Sequence, residues 1–164
     1  MAVRLNRGDG GFEAPLVLEP AATPRAVANS DFNHDGLADL AVADAVGVSV
    51  LLRRSDGTFQ AALSVPAGPA PTLVATAEVS HDGRPDIIVA DPSHPELRVL
   101  FGGGDGTFQA PLSVPLGAVP RGLLAFDVDK DGHRDLVALT ASDVRVMRSL
   151  GGGRFASPVV SLVG

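Results

Sequence analysis

At 164 residues, 45% of them hydrophobic and 20% charged, the chain has the length and apolar content of a single domain able to bury a core. The absence of cysteine excludes disulfide frameworks and thiolate metal sites, and a net charge of -6 without clustered Lys and Arg argues against nucleic acid as a partner. No apolar run approaches the roughly 18 residues of a membrane span, and the opening MAVRLNRGDGGF lacks a signal-peptide core, so any export signal is expected outside these residues.

Read in order, the chain repeats itself. Phe12, Phe59, Phe108 and Phe155 recur at intervals of 47, 49 and 47 residues, in the segments GDGGFEAP, SDGTFQAA, GDGTFQAP and GGGRFASP. Between them lie short Val-, Leu- and Ala-rich runs punctuated by Gly, Pro and Asp, with no sustained helical periodicity. The first half-repeat has strand-like runs at Ala2 to Asn6 and Phe12 to Leu18. The next repeat has Arg25 to Ser30, Leu40 to Ala43, Val48 to Arg53 and Phe59 to Val65. The third has Thr72 to Ala77, Ile87 to Ala90, Leu97 to Phe101 and Phe108 to Val114, and the last Gly122 to Phe126, Leu136 to Leu139, Val144 to Arg148 and Phe155 to Leu162.

Four strands per repeat of this length predict an all-β chain of propeller blades, each of four antiparallel strands: a half blade at 1–19, then blades at 20–66, 67–115 and 116–164. The many Ala residues in the first two runs of each repeat suit strands packed close to a crowded centre. Three and a half blades do not close a ring, so the expectation is a homo-oligomer that completes it, or completion by further sequence.

Each full repeat carries a nine-residue acidic loop between its first two strands. The loops are Asp31-Phe32-Asn33-His34-Asp35-Gly36-Leu37-Ala38-Asp39, Glu78-Val79-Ser80-His81-Asp82-Gly83-Arg84-Pro85-Asp86 and Asp127-Val128-Asp129-Lys130-Asp131-Gly132-His133-Arg134-Asp135, and together they hold ten of the 19 acidic residues. Ca2+ takes six to eight oxygen ligands, and alternate residues of a tight loop converge on one point. Side chains at positions 1, 3 and 5 (Asp31, Asn33, Asp35; Glu78, Ser80, Asp82; Asp127, Asp129, Asp131) are expected to supply oxygens. Position 7 (Leu37, Arg84, His133) would supply a backbone carbonyl, and position 9 (Asp39, Asp86, Asp135) the closing carboxylate. Up to three Ca2+ ions would bind, with weak occupancy at the loop beginning with Glu78, whose first ligand is one methylene longer and whose Ser80 is neutral.

The opening D-x-[DN]-x-D-G also begins an EF-hand, but Val42, Val89 and Ala138 stand where that motif needs a bidentate Glu, and strands rather than helices flank the loops. Simple Asp-Gly turns are the other reading, weakened by three copies in register. With these loops and the recurrent Gly-Asp-Gly-x-Phe-x-x-Pro segments, the chain resembles FG-GAP or VCBS repeats, the blades of integrin α-subunit propellers. The resemblance implies a calcium-binding propeller used for adhesion and ligand binding, commonly extracellular.

Other signals weigh less. Gly102-Gly103-Gly104-Asp105-Gly106 lacks the Lys-Ser/Thr and helix of a phosphate loop. Arg7-Gly8-Asp9 falls on a hairpin turn and reads as a coincidental RGD. His34 and His81 have no nucleophile placed beside them by any motif, so no enzyme is expected. The functional expectation is a binding, adhesion or scaffold module with structural calcium and a protein or glycan ligand. The alternatives are a purely architectural self-assembling propeller and, less favoured, a lectin or an enzyme using the central channel.

Overall fold

The computed structural model describes residues 1–20, 22–68 and 70–162, so Ala21, Pro69, Val163 and Gly164, which fall inside the expected repeats, lie outside the described residues. It is all-β, with no helix among the described residues and hence none long and apolar enough to cross a membrane.

A two-stranded sheet comes first, β1 (Ala2–Val3) against β2 (Leu16–Val17). Three four-stranded antiparallel sheets follow in simple up-and-down order. The first holds β3 (Ala26–Ser30), β4 (Asp39–Ala43), β5 (Val48–Leu51) and β6 (Leu63–Val65). The second holds β7 (Leu73–Ala77), β8 (Asp86–Ala90), β9 (Glu96–Leu100) and β10 (Leu112–Pro115). The third holds β11 (Gly122–Phe126), β12 (Asp135–Leu139), β13 (Asp143–Met147) and β14 (Val159–Leu162). The sheets are the expected blades, and they do not close into a ring.

Burial sorts the strands by their place in the blade. Within each blade the second and third strands are more buried than the first and fourth, and β8, between two neighbouring blades, is buried along its whole length, whereas β12 in the last blade leaves Leu139 exposed. The first strands stand beside one another from blade to blade, β3 against β7 and β7 against β11, and the Thr76 hydroxyl donates to the Asn29 carbonyl across one such contact at 2.8 Å. Small residues such as Ala28 and Ala75 allow that approach.

The hydrophobic cores lie between blades. Ala41, Val48 and Val50 of one blade meet Ile87, Val89 and Leu100 of the next, and Ile88, Leu97 and Val99 meet Leu136, Ala138 and Met147. The recurrent Phe residues join these layers: Phe108 sits edge-on to Phe32 of the preceding blade, ring centroids 5.3 Å apart, and Phe155 packs on the core containing Val79. Phe12, in the first half blade, is exposed.

One difference from the expected strands is systematic. The fourth run of each repeat is split: the Phe forms an isolated bridge to the third-strand segment (Asn6 with Phe12, Arg53 with Phe59, Gly102 with Phe108, Ser149 with Phe155), and the regular strand resumes four residues later. Pro15, Pro111 and Pro158 stand at the break and have no N–H for a ladder. Ala62 occupies the same place in the remaining copy, where the break persists without a proline.

Repeat-equivalent positions should therefore respond unequally to truncation. In urea denaturation of dilute protein, Ile88→Ala at the buried interface is expected to cost about 2 to 4 kcal/mol, and Val137→Ala at the matching position of the last blade about 1 kcal/mol or less.

Candidate metal centre

All three acidic loops have the same backbone trajectory. Positions 4 and 6 are both left-handed, with φ of 58° and 82° at His34 and Gly36, 66° and 83° at His81 and Gly83, and 65° and 90° at Lys130 and Gly132. Glycine takes this conformation without steric cost, whereas histidine or lysine at position 4 must be held there by the loop.

What holds it is the carboxylate at position 1. Asp31 accepts from the backbone N–H groups of Asp35 and Gly36 at 3.1 and 2.8 Å, and Asp127 from those of Lys130, Asp131 and Gly132 at 2.6, 3.2 and 2.9 Å. Glu78 does the same work through a single oxygen, which accepts from the N–H groups of His81 and Asp82 and from the Ser80 hydroxyl. At position 5, Asp35, Asp82 and Asp131 each accept from the N–H of the position 7 residue, Leu37, Arg84 or His133, at 2.8 to 2.9 Å. Asn33, at position 3, turns its amide N–H towards Asp35.

Position 9 is different in kind. Asp39, Asp86 and Asp135 are fully buried at the start of the second strands. One oxygen of each accepts from the position 2 N–H, of Phe32, Val79 or Val128, at 2.9 Å. The other accepts from the N–H that follows the third strand, of Arg53, Gly102 or Ser149, at 2.7 to 2.9 Å. Ser80 adds a third donor to Asp86. The carboxylate thus ties the loop to the exit of the third strand. Burial, opposed by these donors, pushes the carboxyls of Asp39 and Asp86 above the usual range.

Among the described residues, loop 3 brings three charged donors together: oxygens of Asp127, Asp129 and Asp135 lie within 4.8 Å of one another. Asp131 is not in this set, and neither of the other loops forms such a charged triplet, loop 1 having the neutral Asn33 and loop 2 Ser80 at position 3. The all-oxygen donors fit a hard cation such as Ca2+ rather than a thiolate- or imidazole-seeking metal. Asp129 also pairs with Arg148 at 3.2 Å, and His133 packs edge-on against His81 with ring centroids 4.4 Å apart. Neither contact is apparent from spacing, because each partner belongs to a different repeat or strand. His34 and His81 are exposed, and Arg7 and Asp9 lie on an exposed turn.

The FG-GAP-like repeat matches residues 31–89 and again 78–138, each match taking in two successive acidic loops. The chain belongs to the FG-GAP-like repeat family. No curated protein matches it. Among solved structures, this FG-GAP chain is similar to an Agrocybe aegerita lectin described for specific recognition of non-reducing terminal N-acetylglucosamine, at 20% identity and a TM-score of 0.70, covering 98% of this chain and 46% of that one. It is also similar, at 24% identity and a TM-score of 0.48, to part of the Photorhabdus luminescens Tc holotoxin pore, covering 99% of this chain and 8% of that one. The FG-GAP chain thus spans less than half the length of the lectin chain.

The position 9 clamp is separable from metal binding. Asp86→Asn turns one acceptor into a donor facing buried N–H groups and should cost about 2 to 4 kcal/mol in chemical denaturation with chelator present. Because the Asp86 carboxyl is raised in the fold, its contribution to stability is greatest below the unfolded carboxylate value near 3.9 and is lost as pH rises through the folded value. The stability gap between wild type and Asp86→Asn should therefore narrow between pH 4 and pH 7; a gap that widens would show that the backbone donors, not burial, govern this carboxyl.

Proposed function

We propose that this FG-GAP chain is a calcium-stabilised β-propeller module acting as a binding, adhesion or scaffold unit, with calcium structural rather than catalytic. The observation that carries this reading is the convergence of Asp127, Asp129 and Asp135 on one point of a loop whose backbone is already held by its own carboxylates. The repetition of the same trajectory at Asp31 to Asp39 and Glu78 to Asp86 supports two further sites of lower charge. Bound there, Ca2+ would neutralise clustered carboxylates and secure the connection between first and second strands. The ligand would be a protein or a glycan. Phe is the only aromatic in the chain, which leaves little for sugar stacking, and the proposal includes no enzymatic step.

Calcium affinities in the range of about 10⁻⁴ to 10⁻³ M predict that 10 mM CaCl2 adds about 1.4 to 2.7 kcal/mol per occupied site relative to EDTA, a rise in melting temperature of several degrees. Asp127→Asn should remove most of the loop 3 share. Identical melting curves with calcium and with EDTA would sink the reading.

A second reading, self-assembly, rests on the last blade. Leu124, Phe126 and Leu139, 62%, 44% and 48% exposed, line an apolar concavity of about 520 Å³ with Val137 and Val144. The matching positions of the preceding blades, such as Ile88 and Leu97, are buried under the next blade. Light scattering should give a multiple of 16.7 kDa that returns to the single-chain mass in Leu124→Glu; a wild-type monomer at micromolar concentration would exclude self-assembly.

A further inference from the structure

We propose that Arg148 is a built-in counter-ion of loop 3, which occupies one side of the acidic cluster and competes with a divalent cation for Asp129. The inference rests on the calcium reading of that loop and concerns how strongly the site binds.

Three observations converge on it. Aligning the repeats on their Phe residues places Arg148 at the same register as Leu5, Leu52 and Phe101, seven residues before Phe155, Phe12, Phe59 and Phe108 respectively in their own copies. Leu52 and Phe101 pack against the interblade cores, whereas Arg148, at the end of β13 and largely exposed, turns to Asp129 with a nitrogen-to-oxygen distance of 3.2 Å. Position 3 of the loop carries a charge in this repeat alone, since Asn33 and Ser80 stand there in the others. The additional carboxylate and the additional guanidinium therefore arise in the same repeat and meet.

The third observation concerns the other members of the cluster. Asp127 is satisfied by the N–H groups of Lys130, Asp131 and Gly132, and Asp135 by those of Val128 and Ser149. Asp129 accepts from no loop N–H among the described hydrogen bonds, and its contact is Arg148. It is the cluster carboxylate whose charge is met by an exposed side chain instead of backbone N–H groups of the loop.

A dication bound by Asp129 would stand a few ångströms from the guanidinium, and the two like charges repel. Arg148 must swing away or remain and weaken the site. The partner is exposed and the pair is screened, so the effect is a tuning of affinity rather than a block. Loop 3, the most acidic of the three, is thereby held to a higher calcium threshold than its charge alone would set.

The test is isothermal titration of the full chain with CaCl2, in a background carrying the exposed changes Asp35→Asn and Asp82→Asn so that loop 3 is read alone. Arg148→Leu, the residue found at positions 5 and 52, should tighten calcium binding about three- to ten-fold, and Arg148→Lys should stay near the parent. In the otherwise wild-type chain, the rise in melting temperature from EDTA to calcium should be larger for Arg148→Leu. Measurable binding with unchanged or weaker affinity in Arg148→Leu would overturn the counter-ion role and make Arg148 a residue that orders Asp129. Absence of calcium binding in parent and variant alike would overturn both this proposal and the calcium reading of loop 3.

Discussion

A carboxylate buried at the start of a central β-strand is costly unless its oxygens are hydrogen-bonded, and every complete blade of this protein contains one. Asp39, Asp86 and Asp135 each gather N–H groups from the second residue of the acidic loop and from the residue beyond the third strand. These N–H groups have left the sheet ladders and would otherwise be orphaned in the interior. The aspartate thus closes the loop, sets where the second strand begins, and positions the hairpin that leads into the fourth.

The packing of blade on blade follows from this clamp. Holding the position 2 N–H directs the position 2 side chain towards the next blade, where Phe32 meets Phe108 and Val79 joins the core beneath Phe155. Phe32 and Val79 are 1% and 2% exposed, while Val128, at the same place in the last loop of this chain, is 40% exposed. The N–H of Gly106 reaches back to the Phe32 carbonyl at 3.0 Å, so a hairpin of one blade also caps the loop of the blade before. Local loop geometry and long-range architecture are therefore the same set of contacts, seen from two blades.

Other acids hold the opposite ends of the sheets and have no part in the metal centre. Asp44 is buried in the turn after β4, where it accepts from the N–H groups of Val46 and Gly47 and from the Ser49 hydroxyl. Asp143 serves the corresponding turn of the last blade, its carboxyl held below the usual range by Arg145 and Thr140. Arg145 also donates to the Leu116 carbonyl, as Arg98 does to that of Ala67, so at two places a guanidinium on the third strand holds the connection that arrives from the preceding sheet. Buried acids thus serve turns that are self-contained as well as the acidic loops, of which the third brings its carboxylates together.

The repeat period, the four-stranded blades and the acidic loops were legible in the residues, because each is set by local alternation, by glycine at a left-handed position, or by recurrence. Spacing alone could not separate position 9 from positions 1, 3 and 5, since all carry oxygen side chains at odd places in one loop; burial separates them, and burial depends on the neighbouring strands. Nor could it place the break after each Phe where Ala62 replaces proline, or pair Arg148 with Asp129. The sequence by itself determined the unit and its count. Only the tertiary structure decided which copy of each position is covered and which carboxylate pairs with an exposed guanidinium, because those properties depend on contacts between strands and between repeats that are distant in the chain.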